Sequence, residues 1–334
     1  MQLAFFEIED WEKEFFRNNL KNHELLFSKH NLKKRNIDAI RNSNGLVVFI
    51  YSKINKDILS KLPKLKFIAT MSTGYDHIDI EECKKRNIAV YNVPFYGENT
   101  VAEHTFALIL ALSRKIHLSY DRTRVGNFSL ENLRGFDLKG KTIGIIGTGH
   151  IGQHVARIAK GFEMKILAFD VYQDKKLAET LGFRYISLNN LLKSSDIITL
   201  HAPYNKDTHH LLNSKNFHMI KKGAYLINTA RGALIETDAL VKALQQKKIA
   251  GAALDVLEGE CYIREEKELL KHKKYPNCDL KTVIEDQMLL HMENVIITPH
   301  NAFNSQEALQ RIIDTTLDNI KSFVRKKKCK NKVV

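Results

Sequence analysis

Thr142-Ile-Gly-Ile-Ile-Gly147-Thr-Gly149-His-Ile-Gly152 is the stretch on which the fold turns. The run up to Ile146 reads as a buried strand, and Ile151 to Phe162 has the apolar spacing of a helix. Between them Gly147, Gly149 and Gly152 form a G-x-G-x-x-G, and a second apolar run, Met164 to Phe169, ends at Asp170, 18 residues beyond Gly152. Strand, glycine turn, helix and acidic strand end in that order are the fingerprint of a dinucleotide site. Gly147 permits the tight turn, Gly149 lets a pyrophosphate approach the backbone, and Gly152 lets the helix lie close to the sheet. The first turn of that helix presents unpaired N–H groups and positive dipole to phosphate. Asp170 would accept the adenosine ribose hydroxyls and repel a 2′-phosphate, and Val171 and Tyr172 supply no arginine to welcome one, so the expected cofactor is NAD.

Working outward, strand-like runs continue with Asp196-Ile-Ile-Thr-Leu200, Ala224-Tyr-Leu-Ile-Asn228, Gly251-Ala-Ala-Leu-Asp-Val256 and Val295-Ile-Ile-Thr298. Six strands suit one doubly wound sheet. Upstream, Leu3 to Ile8, Glu24 to Phe27, Leu46 to Tyr51 and Leu65 to Thr70 read as strands, alternating with helical spacing in Trp11 to Leu20, Asn36 to Arg41 and Asn55 to Leu62. That alternation predicts a second parallel sheet covered by helices. One long helix is expected from Asn99 to Arg124, and a last one, Ser305 to Val324, should return to the first domain. Residues 260–292 form the least regular stretch, a long excursion of the kind that is often functional.

The 334 residues are enough for two domains. Hydrophobic residues at 44% and charged residues at 27% are ordinary for a soluble globular protein. No apolar run approaches the ~18 residues of a spanning helix. The N-terminus lacks the basic region of a signal peptide. Cys83, Cys261, Cys278 and Cys329 are scattered, fitting neither a metal site nor a disulfide framework, so reduced thiols in the cytoplasm are expected, with no metal. The net charge of +14 is spread along the chain and no nucleic-acid motif accompanies it. Only Arg325-Lys-Lys-Lys-Cys-Lys-Asn-Lys332 is a concentrated run, read as a solvated, frayed end or else an anionic contact. Neither a nucleic acid nor a membrane is expected as partner.

With these motifs in hand the chain resembles the D-isomer-specific 2-hydroxyacid dehydrogenase family along nearly its whole length. The resemblance rests on Met71-Ser-Thr-Gly-Tyr-Asp-His-Ile-Asp79, Glu98-Asn-Thr-Val-Ala-Glu-His104, the glycine motif, His201-Ala-Pro203 with Thr208, Lys222 through Gly232, Leu254-Asp-Val256 with Glu260, and Thr298-Pro-His300. It implies two Rossmann-like domains of α/β class, a flavodoxin-like substrate domain (1–100 and 301–334) carrying an inserted NAD-binding domain (101–300). It also implies an active site in the cleft and a homodimer formed largely through the cofactor domain.

By the same resemblance Arg231 grips the substrate carboxylate, His300 is the general acid and base, and Glu260 pairs with His300. Glu258 is close enough in sequence to be mistaken for Glu260. His150, Ile151, His201, Ala202, Pro203, Thr208, Thr229, Ala230 and Asp255 are expected around the cofactor, with Asp255 on its nicotinamide side. The Thr73–Gly74 backbone, Tyr96 and Phe303 are expected around a small 2-oxo or 2-hydroxy acid. Tyr96, Phe303 and the long segment after Glu260 tilt the substrate toward pyruvate and D-lactate; glyoxylate or hydroxypyruvate is the alternative within the family. A non-catalytic NAD-sensing binding protein on the same fold is the alternative outside it.

Overall fold

Leu3, Ala4, Phe5 and Phe6 are buried in succession, as a strand covered on both faces requires. They lie in β1 (Gln2–Phe6), the start of a computed structural model that describes residues 1–258 and 280–334. The described residues fall into two compact units, Met1–Tyr96 with Ser305–Val334, and Gly97–Asn304. In the first unit β1 is followed by α1 (Asp10–Asn19), β2 (Glu24–Ser28), β3 (Gly45–Val48), α2 (Lys56–Ser60), β4 (Phe67–Thr70), α3 (Ile80–Lys85) and β5 (Ala89–Tyr91). The sheet is parallel throughout, in the order β2-β1-β3-β4-β5, the flavodoxin-like arrangement. Phe5 and Phe16, ring centroids 4.8 Å apart, join β1 to α1.

The second unit runs α4 (Glu98–Ser113), α5 (Ile116–Arg124), β6 (Thr142–Ile146), α6 (His150–Gly161), β7 (Lys165–Phe169), α7 (Lys175–Leu181), β8 (Arg184–Tyr185), α8 (Leu188–Ser194), β9 (Ile197–Leu200), β10 (Ala224–Asn228), α9 (Thr237–Gln245), β11 (Ile249–Leu254), α10 (Leu280–Leu290) and β12 (Val295–Ile297). Its parallel sheet has the order β8-β7-β6-β9-β10-β11-β12, a doubly wound dinucleotide-binding sheet with one strand added at the far edge. The order reverses between β6 and β9, and the crevice outside their carboxyl ends is where such sheets take ligands. The chain then re-enters the first unit as α11 (Gln306–Val324), whose Phe323 ring sits 4.4 Å from that of Phe67.

The α/β architecture with an inserted doubly wound unit is the one expected. Several details differ, each for a local reason. In place of the helix expected from Asn36 to Arg41 there are two 3-10 turns, Lys34–Asn36 and Asp38–Ile40, and the Asn36 side chain bonds the Lys33 N–H and the Asn31 carbonyl in competition with a helix. The single helix expected from Asn99 breaks into α4 and α5 at Lys115, which takes a left-handed φ of 52° while the Phe136 N–H caps the Ser113 carbonyl. The short strands β5 and β8 carry too few residues to show a period. The basic tail is no frayed end. Lys326, Lys327 and Lys328 are exposed, but Val333 and Val334 pack on the first unit's core and the backbone of 331–334 pairs with β5.

Candidate active site

The glycine loop leaves the carboxyl end of β6 at the switch point. Gly147 has φ of +95°, and a Cβ there would stand 2.7 Å from the Ala202 nitrogen, so the turn and its closeness to the β9 loop both need glycine. A Cβ on Gly152 would come within 2.0 Å of the Gly147 carbonyl, which seats α6 against the loop. Gly149 behaves differently: a Cβ there meets nothing within 4 Å, so this glycine keeps a surface clear for something other than the chain. As N-cap of α6 it offers no side chain to the first turn. His150 opens α6 and faces Glu98 at 3.4 Å, and Ile151 follows it half-buried.

Asp170 stands at the end of β7. Its Oδ2 accepts the Thr148 N–H at 2.7 Å and hydroxyl at 3.1 Å, and its Oδ1 accepts the Tyr172 N–H at 2.9 Å. A carboxylate has about four acceptor positions, so these bonds aim Asp170 and leave it capacity for a ribose hydroxyl. Thr148, buried and also 2.9 Å from the Tyr185 hydroxyl, fixes the acid to the glycine loop. Its sequence position, a variable place in the motif, gave no hint of that task. Across the switch point the His201 Nε2 meets the Thr199 hydroxyl at 2.9 Å, while its Nδ1 is buried without a partner. Desolvation pushes this imidazole down to about 3, so it is neutral at physiological pH. Ala202 and Pro203 continue the loop, which Thr208 closes by donating to the Pro203 carbonyl at 2.7 Å. An open glycine face, an aimed acid with spare capacity and an orphaned imidazole nitrogen fit a dinucleotide.

Arg231 emerges just beyond β10. The buried Asn228 side chain donates to the Arg231 carbonyl at 2.9 Å and accepts the Ala230 N–H at 3.0 Å, stapling the turn. Thr229 is buried and 3.0 Å from the Thr105 hydroxyl on α4. A Cβ on Gly232 would fall 2.1 Å from the Leu257 carbonyl carbon, so the arginine turn abuts the segment leaving β11. That segment begins with Asp255, which is 1% exposed. Its Oδ1 accepts the Thr298 hydroxyl at 2.5 Å and the Asn301 N–H at 2.9 Å, and its Oδ2 accepts the Ala302 N–H at 2.9 Å. Between those donors lies His300, half-buried, with φ of 54° and its N–H on the Thr298 carbonyl. His104 of α4 adds a contact of 3.2 Å to the Thr298 hydroxyl. The ends of β10, β11 and β12 thus gather Arg231, Asp255 and His300.

Asn228, Thr298 and His104 are the supports that sequence reasoning left without a role. His104 and Thr298 sit in the quoted motifs, which was their only signal. Glu258 spends its carboxylate on His210 at 2.5 Å and Thr237 at 2.7 Å, so it ties the 204–210 loop to α9. Glu260, Cys261 and Cys278 lie outside the described residues. Phe303 follows the histidine turn in the same unit. In the first unit Thr73 and Gly74 lie in the loop after β4, and Arg311 of α11 donates to the Tyr96 carbonyl at 2.7 Å. Among the described residues no cluster of side chains has the makeup of a metal site. No helix among them is long and apolar enough to cross a membrane.

Residues 106–302 match the family model described as D-isomer specific 2-hydroxyacid dehydrogenase, NAD binding domain, and the chain belongs to that family. It is an NAD-dependent oxidoreductase. It is similar to the D-lactate dehydrogenase of Escherichia coli strain K12, with 36% identity covering 100% of both chains. It is also similar to the glyoxylate reductase of Thermococcus litoralis, with 37% identity over 86% of this chain and 83% of that one. Among solved structures, the D-lactate dehydrogenase of Aquifex aeolicus complexed with NAD and lactic acid superposes with a TM-score of 0.88, at 38% identity, covering 97% of this chain and 96% of the other.

Proposed function

We propose that the chain interconverts pyruvate and D-lactate, with Arg231, Glu260 and His300 as its catalytic residues. The observation that carries this reading is the Asp255 clamp at the end of β11, which holds the turn bearing His300, after β12, across from the Arg231 turn, after β10, in the sheet that carries the glycine loop. NADH, when bound, supplies a hydride. Gly147, Gly149, His150, Ile151 and Gly152 would hold the pyrophosphate, and Asp170 the adenosine ribose. His201, Ala202, Pro203, Thr208, Thr229, Ala230 and Asp255 would line the rest of that site. Arg231 would take the substrate carboxylate with two parallel N–H bonds and polarise the neighbouring carbonyl. His300 Nε2 or Nδ1, protonated, would give its proton to the carbonyl oxygen during reduction, and the neutral ring would recover it from the hydroxyl in reverse. Glu260 would orient that ring and stabilise its charged form. The Thr73–Gly74 backbone would share the carboxylate, and Tyr96 and Phe303 would face the small apolar substituent.

The similarity to a glyoxylate reductase supports a second reading, in which glyoxylate or hydroxypyruvate replaces pyruvate on the same machinery. We also assign a homodimer in the cytoplasm. Ile116, Tyr120, Val125, Phe128 and Leu130 are 56–84% exposed on the second unit, five large apolar side chains within 15 residues of sequence that a second copy would cover. Loss of NADH absorbance with pyruvate, 2-oxobutyrate, phenylpyruvate, oxaloacetate, glyoxylate and hydroxypyruvate tests the function. Fastest turnover with pyruvate, and D- but not L-lactate in reverse, is the expected result. A preference for glyoxylate or hydroxypyruvate selects the second reading, and no turnover with any acid overturns both.

A further inference from the structure

The apolar anchors of the loop after β4 are Met71 and Ile78, both buried, on either side of Thr73 and Gly74. Thr73 is exposed and Gly74 half-exposed, so hydrogen bonds decide where their backbone lies. The Gly74 carbonyl accepts the Ser72 hydroxyl at 2.7 Å, and the bonds of Thr73 run to the end of β5. The Asn92 side chain donates to the Thr73 carbonyl at 2.9 Å, the Val93 N–H donates to the Ser72 carbonyl at 3.0 Å, and the Thr73 hydroxyl donates to the Val93 carbonyl at 2.8 Å.

Asn92 is in turn held from the far end of the chain. Its N–H donates to the Asn331 carbonyl at 3.2 Å, and its carbonyl accepts the Asn319 side-chain amide at 2.8 Å. Asn319, on α11, is fully buried, and its Oδ1 accepts the Asn331 amide at 3.0 Å and the Cys329 thiol at 3.3 Å. Beyond Asn331 the tail pairs antiparallel with β5, Val333 N–H to the Val90 carbonyl at 2.8 Å and Val90 N–H to the Val334 carbonyl at 3.0 Å. The main-chain donor and acceptor of Asn92 are both fixed by the C-terminal segment, and its side chain passes that constraint to Thr73.

We propose that Asn92 is a positioning residue for the 2-oxo acid carboxylate, and that Asn319 and the C-terminal strand 331–334 hold it in place. The inference rests on the reading that the Thr73–Gly74 backbone receives that carboxylate. A strap of this kind also blunts the exposed edge of β5, yet edge protection alone would leave substrate affinity untouched.

The test uses the full chain, Asn92→Ala, a chain ending at Lys328, and the two changes together, with the fastest acid of the panel above. Each change should raise KM for the acid about three- to tenfold, the worth of one directing hydrogen bond, with kcat and the Kd for NADH within about twofold of the parent. The combined variant should be no worse than the poorer single one, because both act through the same residue. If the shortened chain fails to fold, Asn319→Ala, which frees the Asn92 carbonyl and releases the Asn331 amide and Cys329 thiol, carries the same expectation. An unchanged KM in Asn92→Ala, or a lower kcat at unchanged KM, overturns the inference. Gly74→Val separates it from the reading beneath: an unchanged KM there removes the loop from the substrate, whereas a raised KM there with normal Asn92→Ala kinetics removes only Asn92.

Discussion

The Thr298 hydroxyl donates to Asp255 across 2.5 Å, and the same carboxylate accepts the backbone of Asn301 and Ala302, so one buried acid encloses the turn on which His300 stands. Asp255→Asn supplies a single acceptor oxygen and sets its N–H₂ against the N–H of either Asn301 or Ala302, which bond different oxygens of the acid. Turnover should fall at least about tenfold, and stability by about 1–3 kcal/mol, the usual loss for a charged hydrogen-bond site. Thr298→Val should do less, and the double variant should be less damaged than the sum, because both loosen the same turn. Steady-state rates with thermal unfolding decide this; additive losses would mean that the two residues act separately.

His300→Asn and Arg231→Lys should fail in different ways. Asparagine tolerates the positive φ at position 300, so that variant should fold and bind NADH while losing about two to four orders of magnitude in kcat. Lysine keeps the charge but not the planar fork, and the main loss should be a KM for the 2-oxo acid raised tenfold or more, on the order of 1.4 kcal/mol. Fluorescence titration with NADH beside initial rates resolves the two, and normal turnover in His300→Asn would sink its assignment as the acid.

Asp170→Ser should narrow the gap between NADH and NADPH, since a carboxylate repels a 2′-phosphate and a hydroxyl does not. The cost should include about 1 kcal/mol of stability, because the Thr148 N–H and hydroxyl lose their charged acceptor. The ratio of kcat/KM for the two cofactors is the readout. An unchanged ratio would assign cofactor choice to another residue.

Glu12, a buried residue in the first turn of α1, is pushed up from 4.5 to about 7 by desolvation, against the lowering effect of its bond from the Glu9 N–H. A raised carboxyl favours folding while protonated: that contribution is complete below about pH 4.5 and is lost as pH rises through about 7. Glu12→Gln retains an acceptor for Glu9 without the charge. It should therefore raise Tm at pH 8, by an amount corresponding to roughly 3 kcal/mol at most, and leave it unchanged at pH 4. An equal shift at both values would exclude the titration.

Gly147, Gly149, Gly152 and Asp170 were legible in the sequence because a tight turn, a helix start and a strand end are set by residues within one βαβ unit. The long apolar runs announced their strands for the same reason, since a strand covered on both faces has to be apolar throughout. Arg231 and His300 were legible only through the motifs around them, and nothing in their own positions showed that β10 and β12, on either side of β11, would bring both to one end of the sheet.

What the sequence could not contain was pairing between distant segments. β5 is three residues long, and it is a strand because β4 lies on one side and the chain's last residues on the other. The lysine-rich tail looked unstructured because its charges are its visible feature, whereas its backbone bonds and Val333 and Val334 hold it down. Asp255 was expected beside the cofactor, but its hold on the turn at 298–302 became visible only once that turn closed on both its oxygens, and Asn92 acquires its partners Thr73, Asn319 and Asn331 only in the folded unit. Composition and period determined the two sheets and the glycine loop because those are local consequences of burial and backbone sterics. The positioning of the site was decided by the tertiary structure, because a hydrogen bond between residues far apart in the chain has direction and partner only once the sheets have formed.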